Sequence, residues 1–148
     1  MSSRSDAVFA PHQDVAARII RQIEATRTRI DAAIFTVTFD RLTRALLAAR
    51  QRGVAIRLLT DNDKALDLGS DIARLSHADL DVRIDRTEVH MHHKFAIFDG
   101  EVLLTGSFNW TRSANEENHE NALFTDDAAL VRLYQAEFER CWKLGIPY

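Results

Sequence analysis

Within one short stretch the chain carries four residue types that together suit an attack on a phosphodiester: His92, Lys94, Ser107 and Asn109. A phosphodiester is an anion with weakly electrophilic phosphorus. Lys94 supplies a point charge, and Ser107 and Asn109 supply hydrogen-bond donors for the nonbridging oxygens. His92 supplies an imidazole nitrogen able to attack phosphorus or to move a proton near neutral pH. A neutral imidazole needs its other nitrogen held, and Glu120 is the carboxylate expected to hold it. His90, His92 and His93 read alternatively as metal ligands, since His90-x-His92 turns both rings to one face of a strand. No third and fourth ligand accompanies them at a recognisable spacing, so no metal is expected, and metal-dependent hydrolysis stands as the last alternative.

A hairpin is expected to bring these residues together. Asp99-Gly100 is the pair favoured by two-residue type I′ turns. With that loop, Phe98 pairs with Glu101, Ala96 with Leu103, Lys94 with Thr105 and His92 with Ser107. Side chains alternate along a strand, so His92, Lys94, Thr105 and Ser107 share one face, extended by Asn109, while Phe95, Ile97, Val102 and Leu104 form the apolar face.

Around the hairpin, short apolar runs alternate with amphipathic segments. Strands are expected at 7–10, 30–39, 54–60, 80–84, 93–98, 102–105 and 121–125. A helix over 12–28 carries Val15, Ile19, Ile20 and Ile23 at helical spacing. A second covers 41–52, capped by Asp40 and closed by Gly53. Ile72 to Leu75 suggests a short helix. A last helix is capped by Asp126 or Asp127 and aligns Leu130, Tyr134, Phe138 and Cys141. Residues 61–63 and 107–119 read as loop. This order argues a single α/β domain over 1–148, layered α-β-α, with a mixed β-sheet.

The spacing His92-x-Lys94-x4-Asp99-x6-Gly106-Ser107-x-Asn109 resembles the HKD signature of the phospholipase D superfamily. Phe9-Ala10-Pro11, Leu58-Leu59-Thr60-Asp61 and Glu120-Asn121 resemble its small single-motif members, the bacterial EDTA-resistant endonucleases and the Zucchini/mitochondrial phospholipase D group. His92-His93-Lys94-Phe95 and Thr105 to Thr111 are most similar to the latter group. The resemblance implies that His92 attacks phosphorus and forms a phosphohistidine. It implies that Lys94 and Asn109 hold phosphate oxygens beside the Ser107 hydroxyl, and that Glu120 orients the histidine. Asp99 and Gly106 are implied to be structural, and no metal or other cofactor is implied. Such a mechanism needs two histidines, a nucleophile and a proton donor. One motif per chain therefore implies a homodimer with two His92 residues facing each other.

The chain has 148 residues, 19 Lys+Arg against 22 Asp+Glu, and a net charge of -3. That excludes a strongly basic nucleic-acid coat but not a local basic strip, for which Arg83, Arg86 and Arg112 are the candidates. A single cysteine, Cys141, excludes an internal disulfide and a Cys-rich zinc module. No signal peptide, transmembrane run or membrane anchor is visible, nor the Cys/His zinc element of the mitochondrial group, so a cytoplasmic location is expected. The expected function is an endonuclease on DNA or RNA. The alternatives are a phospholipase D or cardiolipin hydrolase, and a nucleic-acid-binding module without activity.

Overall fold

The computed structural model describes residues 2–148. One eight-stranded sheet runs through it, ordered β1 (Ser5–Ala10), β7 (Glu120–Thr125), β6 (Val102–Gly106), β5 (Lys94–Phe98), β2 (Arg29–Ile34), β3 (Ala55–Thr60), β4 (Asp81–Ile84) and β8 (Ile146–Pro147). β2, β3 and β4 are parallel and the other pairings antiparallel, which is the mixed sheet expected from sequence. The helices are α1 (Val15–Ala25), α2 (Asp40–Gln51), α3 (Asn62–Ala65), α4 (Ile72–Ser76), α5 (Arg112–Glu116) and α6 (Ala128–Leu144).

Both faces of the sheet are covered, so its central strands are apolar on both sides rather than alternating. α1 buries Val15, Ala16, Ile19 and Ile23, and α2 buries Leu42, Leu46 and Ala49. These meet Ile30, Ala32, Leu58, Ala96, Phe98 and Leu104. On the opposite face Val131, Phe138 and Trp142 of α6 meet Ala33, Leu59, Phe95, Ile97 and Leu103. Asp14 caps α1 by accepting the Ala17 N–H, and also accepts from Arg41 and Asn115, tying α1 to α2 and α5. On the α6 side, Arg57 bridges Asp31 of the sheet to Glu139 of the helix.

Several boundaries differ from the sequence expectation. β2 ends at Ile34 instead of Phe39, because residues 36–39 exchange backbone hydrogen bonds with Trp110. Asp40 is the first residue of α2 and not its cap; it pairs with Arg44 and Arg74. Leu130 faces solvent while Val131 takes the buried position, since Asp127 is the cap that sets the helix phase. α3, α5 and β8 fall in segments read as loop or left unassigned, each too short to show periodicity.

The hairpin register is shifted by one residue. Asp99 and Gly100 form the turn, both at positive φ, and the Glu101 N–H donates to the Phe98 carbonyl. Glu101 then stays out of the ladder, so Phe98 pairs with Val102, Ile97 with Leu103, Ala96 with Leu104 and Phe95 with Thr105. A one-residue slip moves every side chain to the other face. Pairing Phe98 with Glu101 would put a carboxylate in the α1–α2 core; the observed register puts Val102 and Leu104 there and leaves Glu101 exposed. Thr105 consequently lies on the α6 face with Phe95. The polar residues gather off the strand ends, not on one face of the hairpin.

Asp99 anchors this turn to the α1–β2 loop. Its carboxylate accepts the N–H groups of Arg27, Thr28 and Arg29 and the Thr28 hydroxyl. Burial opposes ionisation, but these donors hold the carboxyl at about 2. A carboxyl depressed in the fold contributes stability above its unfolded value, ~3.9, and loses it as pH falls through the folded value. Asp99→Asn is expected to cost about 1–2 kcal/mol at pH 7, after discounting for solvent screening, and much less near pH 2. Asn tolerates the left-handed backbone, which isolates the charge. Urea unfolding at the two pH values measures it; an equal loss at both would remove the carboxylate from this role.

Candidate active site

His92 lies just before β5, beside the C-terminal ends of β2 and β3. The Phe35 N–H donates to the His93 carbonyl at 2.9 Å, fixing the backbone that carries His92 to the end of β2. The Phe35 ring then sits under the imidazole, with centroids 4.4 Å apart. Lys94 Nζ donates to His92 Nδ1 at 3.0 Å and to the His92 carbonyl at 2.9 Å. Partial burial lowers the His92 pKa, and the Lys94 ammonium and His90 lower it further against the pull of Asp61, which favours the neutral ring. Burial also lowers the Lys94 pKa, with Glu120 opposing.

Gly106 ends β6 where that strand closes on the start of β7. A Cβ there would run into the Asn121 carbonyl oxygen, with the Asn121 carbonyl carbon and Oδ1 each at 2.9 Å. The close approach lets the Ser107 N–H reach the Asn121 carbonyl at 3.1 Å. Ser107 Oγ donates to Glu120 Oε1 at 2.6 Å and accepts from the Asn121 N–H at 3.0 Å. Asn118 Nδ2 donates to Glu120 Oε2. Glu120 therefore holds Ser107 within this chain, and not His92 as the sequence suggested. The reason is positional: Glu120 opens β7, which neighbours β6 and its Ser107, while β6 separates it from β5 and His92. Asn109 Oδ1 accepts the Thr36 N–H at 3.2 Å, which leaves its Nδ2 to donate elsewhere.

The three histidines do not share a ligand set. His90 Nδ1 lies 3.1 Å from Asp61 Oδ1, His92 faces Lys94, and His93 Nε2 lies 2.7 Å from Glu137 Oε2. Of the three arginines expected to form one strip, Arg83 is spent on structure. Its Nη1 donates to the Trp142 carbonyl at 2.8 Å and its guanidinium lies over the Trp142 ring. That follows from β4 running beneath the C-terminal end of α6, which no linear spacing reveals. Arg86 is exposed on the loop leading to His92, and Arg112 is exposed on α5 and paired with Glu116.

Three residues to which the sequence assigned no role in the site shape it. Phe35 looked like strand core, yet Lys64 and Lys94 each place Nζ 5.5 Å from its ring centroid. Thr36 fixes Asn109 through its backbone. Asp61, wholly buried, accepts the Met91 N–H and a bond from the Asp63 N–H, ordering the segment before His92. Its signal was an Asp at the end of a parallel strand, where loop residues gather into sites. Two clefts flank His92 on the α6 side. One, about 470 Å³, is walled by Leu59, Val89, Met91 and Leu144; the other, about 410 Å³, by Phe95, Leu133 and Tyr134.

A family model described as "Cardiolipin synthase, PLD-like domain" matches residues 19–142. "Mitochondrial cardiolipin hydrolase" of Xenopus laevis is 45% identical over 134 residues, covering 90% of this chain and 64% of the relative. The Homo sapiens protein of that name is 44% identical over 138 residues, covering 93% and 55%. The chain thus spans between about half and two-thirds of these relatives' length. Among the described residues no helix is long and apolar enough to cross a membrane. Nuc from Salmonella typhimurium, a phospholipase D family member, superposes with a TM-score of 0.93 at 24% identity, covering 99% of both chains. NucT from Helicobacter pylori superposes at 0.91 and 21% identity, covering 99% of this chain and 100% of that one. At those identities the two structures speak for the fold, and the layered mixed sheet is theirs. Family model, relatives and the His92–Asn109 spacing agree: the chain belongs to the phospholipase D superfamily.

Proposed function

We propose that the chain is a metal-independent phosphodiesterase working through a covalent phosphohistidine at His92. The observation that carries this reading is the Lys94 ammonium bonded to the His92 imidazole over the Phe35 ring, with the Asn109 amide fixed by the neighbouring Thr36, all at the ends of central strands. The ring's Nε2 attacks phosphorus while Lys94 and Asn109 Nδ2 take up the nonbridging oxygens. The phosphorus–oxygen bond to the leaving group breaks, and a second histidine, as imidazolium, gives that oxygen its proton and is left as a neutral base. Water, deprotonated by the same second imidazole, then releases the phosphoryl group and restores both rings.

Lys94 donates to Nδ1 in the single chain, which leaves the His92 proton on Nε2. That tautomer is not a nucleophile, and a neutral ring is no general acid either, since the acid form carries both ring protons. The nucleophilic form carries its proton on Nδ1 and needs a carboxylate to hold it. Glu120 is separated from His92 of its own chain by β6, so Glu120 of a second copy is assigned to that place, its oxygens having lone pairs to spare beside the Ser107 and Asn118 bonds. A homodimer thus supplies both the second histidine and its orienting carboxylate.

A phospholipid is the substrate class with most support. The two apolar-walled clefts meet at His92, and Leu66, Leu68 and Val89 stand exposed on the loops after β3 and β4. No run in the sequence marks this apolar rim, which is assembled from isolated residues of separate loops. The name of the relatives, mitochondrial cardiolipin hydrolase, points the same way. A nucleic-acid strand is the second reading, favoured by Lys64 and Lys94 about the Phe35 ring and by the exposed Arg86. The inactive binding module loses support because every motif residue is in place. Turnover of cardiolipin vesicles, single- and double-stranded DNA and RNA by the purified chain, with and without EDTA, decides among them. Activity is expected to survive chelation, because Lys94 and the amide act as the charge clamp. Complete loss in EDTA, restored by zinc or magnesium, would contradict the proposal.

A further inference from the structure

Away from the His92 ring, one group of side chains has the composition of a transition-metal centre. His93 Nε2, a Glu137 carboxylate oxygen and Cys141 Sγ lie within 4.8 Å of one another. Glu137 and Cys141 are four residues apart on α6, so both project from one face of the helix. His93 reaches them from the segment entering β5. Its Nε2 is 2.7 Å from Glu137 Oε2, and Cys141 Sγ is 3.5 Å from the same oxygen. Imidazole, carboxylate and thiolate together form a borderline-soft set, which favours zinc and its neighbours over magnesium or calcium.

A second, independent feature lines the same cleft. Asp85, just past β4, is only 7% exposed, and its Oδ2 has no hydrogen-bond partner among the described residues. Its Oδ1 is already occupied by the Thr87 N–H and hydroxyl. A buried carboxylate oxygen left unpaired is costly unless a cation or a bound water answers it. Asp85 lines the 470 Å³ cleft together with His93, Arg140 and Cys141.

We propose that His93, Glu137 and Cys141 bind one divalent transition-metal ion of the zinc type, with Asp85 Oδ2 accepting from a water on that ion. The charges balance. Two positive charges of the ion meet Cys141 thiolate, Glu137 and Asp85, and the remaining negative charge is offset by Arg140. At present Arg140 Nε and Nη2 hold both Glu137 oxygens, at 2.7 and 2.8 Å. On binding, Oε2 passes to the ion while Oε1 keeps Nε. The Cys141 thiol releases its proton to solvent, one per ion. The ion ties α6 to the residue next to His92 and takes no part in cleavage. The other cluster of this kind, Asp61 with Asp63 and His90, has no thiol, and both Asp61 oxygens already accept backbone N–H groups.

The test is a cobalt(II) titration of the full chain followed by absorption, with zinc as competitor. One ion per chain is expected, with a thiolate-to-cobalt charge-transfer band that zinc abolishes. Zinc is expected to raise the melting temperature by several degrees, since only the folded state assembles the ligands. Cys141→Ser should remove the charge-transfer band. His93→Gln and Asp85→Asn should each weaken binding about tenfold or more, the scale on which ligands and their supporting groups act. Melting in EDTA and circular dichroism show that each variant is folded. Saturation without a charge-transfer band, binding unchanged in His93→Gln, or no binding at all would overturn the proposal. Failure here is separable from failure of the proposed function, because EDTA-treated protein should lose only the melting increment and keep its turnover.

Discussion

A folded His92→Asn chain is expected to lose at least about a thousandfold in turnover and to poison the wild-type protein it pairs with. The first effect follows from removing the nucleophile, whose absence leaves only binding and the charge clamp, a loss of about 4 kcal/mol or more in barrier. The second follows from the geometry of the single chain. His92 has one imidazole partner set, Lys94 on Nδ1 and Phe35 beneath, and His90 is tied to Asp61. An attacking nitrogen bonded to phosphorus has no proton to give, and the proposed mechanism takes the donor from another copy. A mixed dimer lacks either nucleophile or donor. With free exchange and a wild-type fraction f, activity of the total dimer should follow about f squared, from random pairing in a two-fold assembly. Co-refolding mutant with wild type, with mass checked by light scattering, measures this. Activity that stays constant as mutant is added would place the donor within the chain, with His90 or His119 next to test.

Lys94→Met is expected to fold as the wild type does and to lose turnover about a thousandfold, near 4 kcal/mol, the scale of removing a preorganised charge from a phosphoryl-transfer site. Met keeps the stem length while removing the ammonium. The loss has two parts: the charge that meets the phosphate oxygens, and the neighbour that helps keep His92 neutral. Lys94→Arg should not restore activity. A planar fork has no route to the place where a point donor reaches His92 Nδ1 and its carbonyl at 3.0 and 2.9 Å. Turnover and melting temperature measured together decide the matter. A stable Lys94→Met chain within tenfold of wild type would remove Lys94 from the chemistry.

The sequence carried most of the site because its signature is local: His92 and Lys94 enter β5, and Gly106 to Asn109 leave its partner strand. What was illegible depended on strand neighbours and on phase. Asp99-Gly100 foretold the turn, but leaving Glu101 outside the ladder is decided by which faces need Val102 and Leu104. Glu120 was expected to hold His92, yet within the chain it holds Ser107, a partner set by β7 lying against β6. Arg83 looked available because nothing in its surroundings foretells that the Trp142 carbonyl ends above it. Phe35 looked like one more core residue, since it continues an apolar strand, while its ring supports His92 and faces two lysines.

The most direct measurement is the stereochemical course at phosphorus. A diester made chiral by oxygen isotopes or by one sulfur is cleaved, and the configuration of the product is compared with that of the substrate. Attack by His92 inverts phosphorus once, and attack by water on the phosphohistidine inverts it again, so two displacements are expected to give net retention. Direct attack by an activated water is a single displacement. Net inversion at phosphorus would contradict a covalent intermediate on His92.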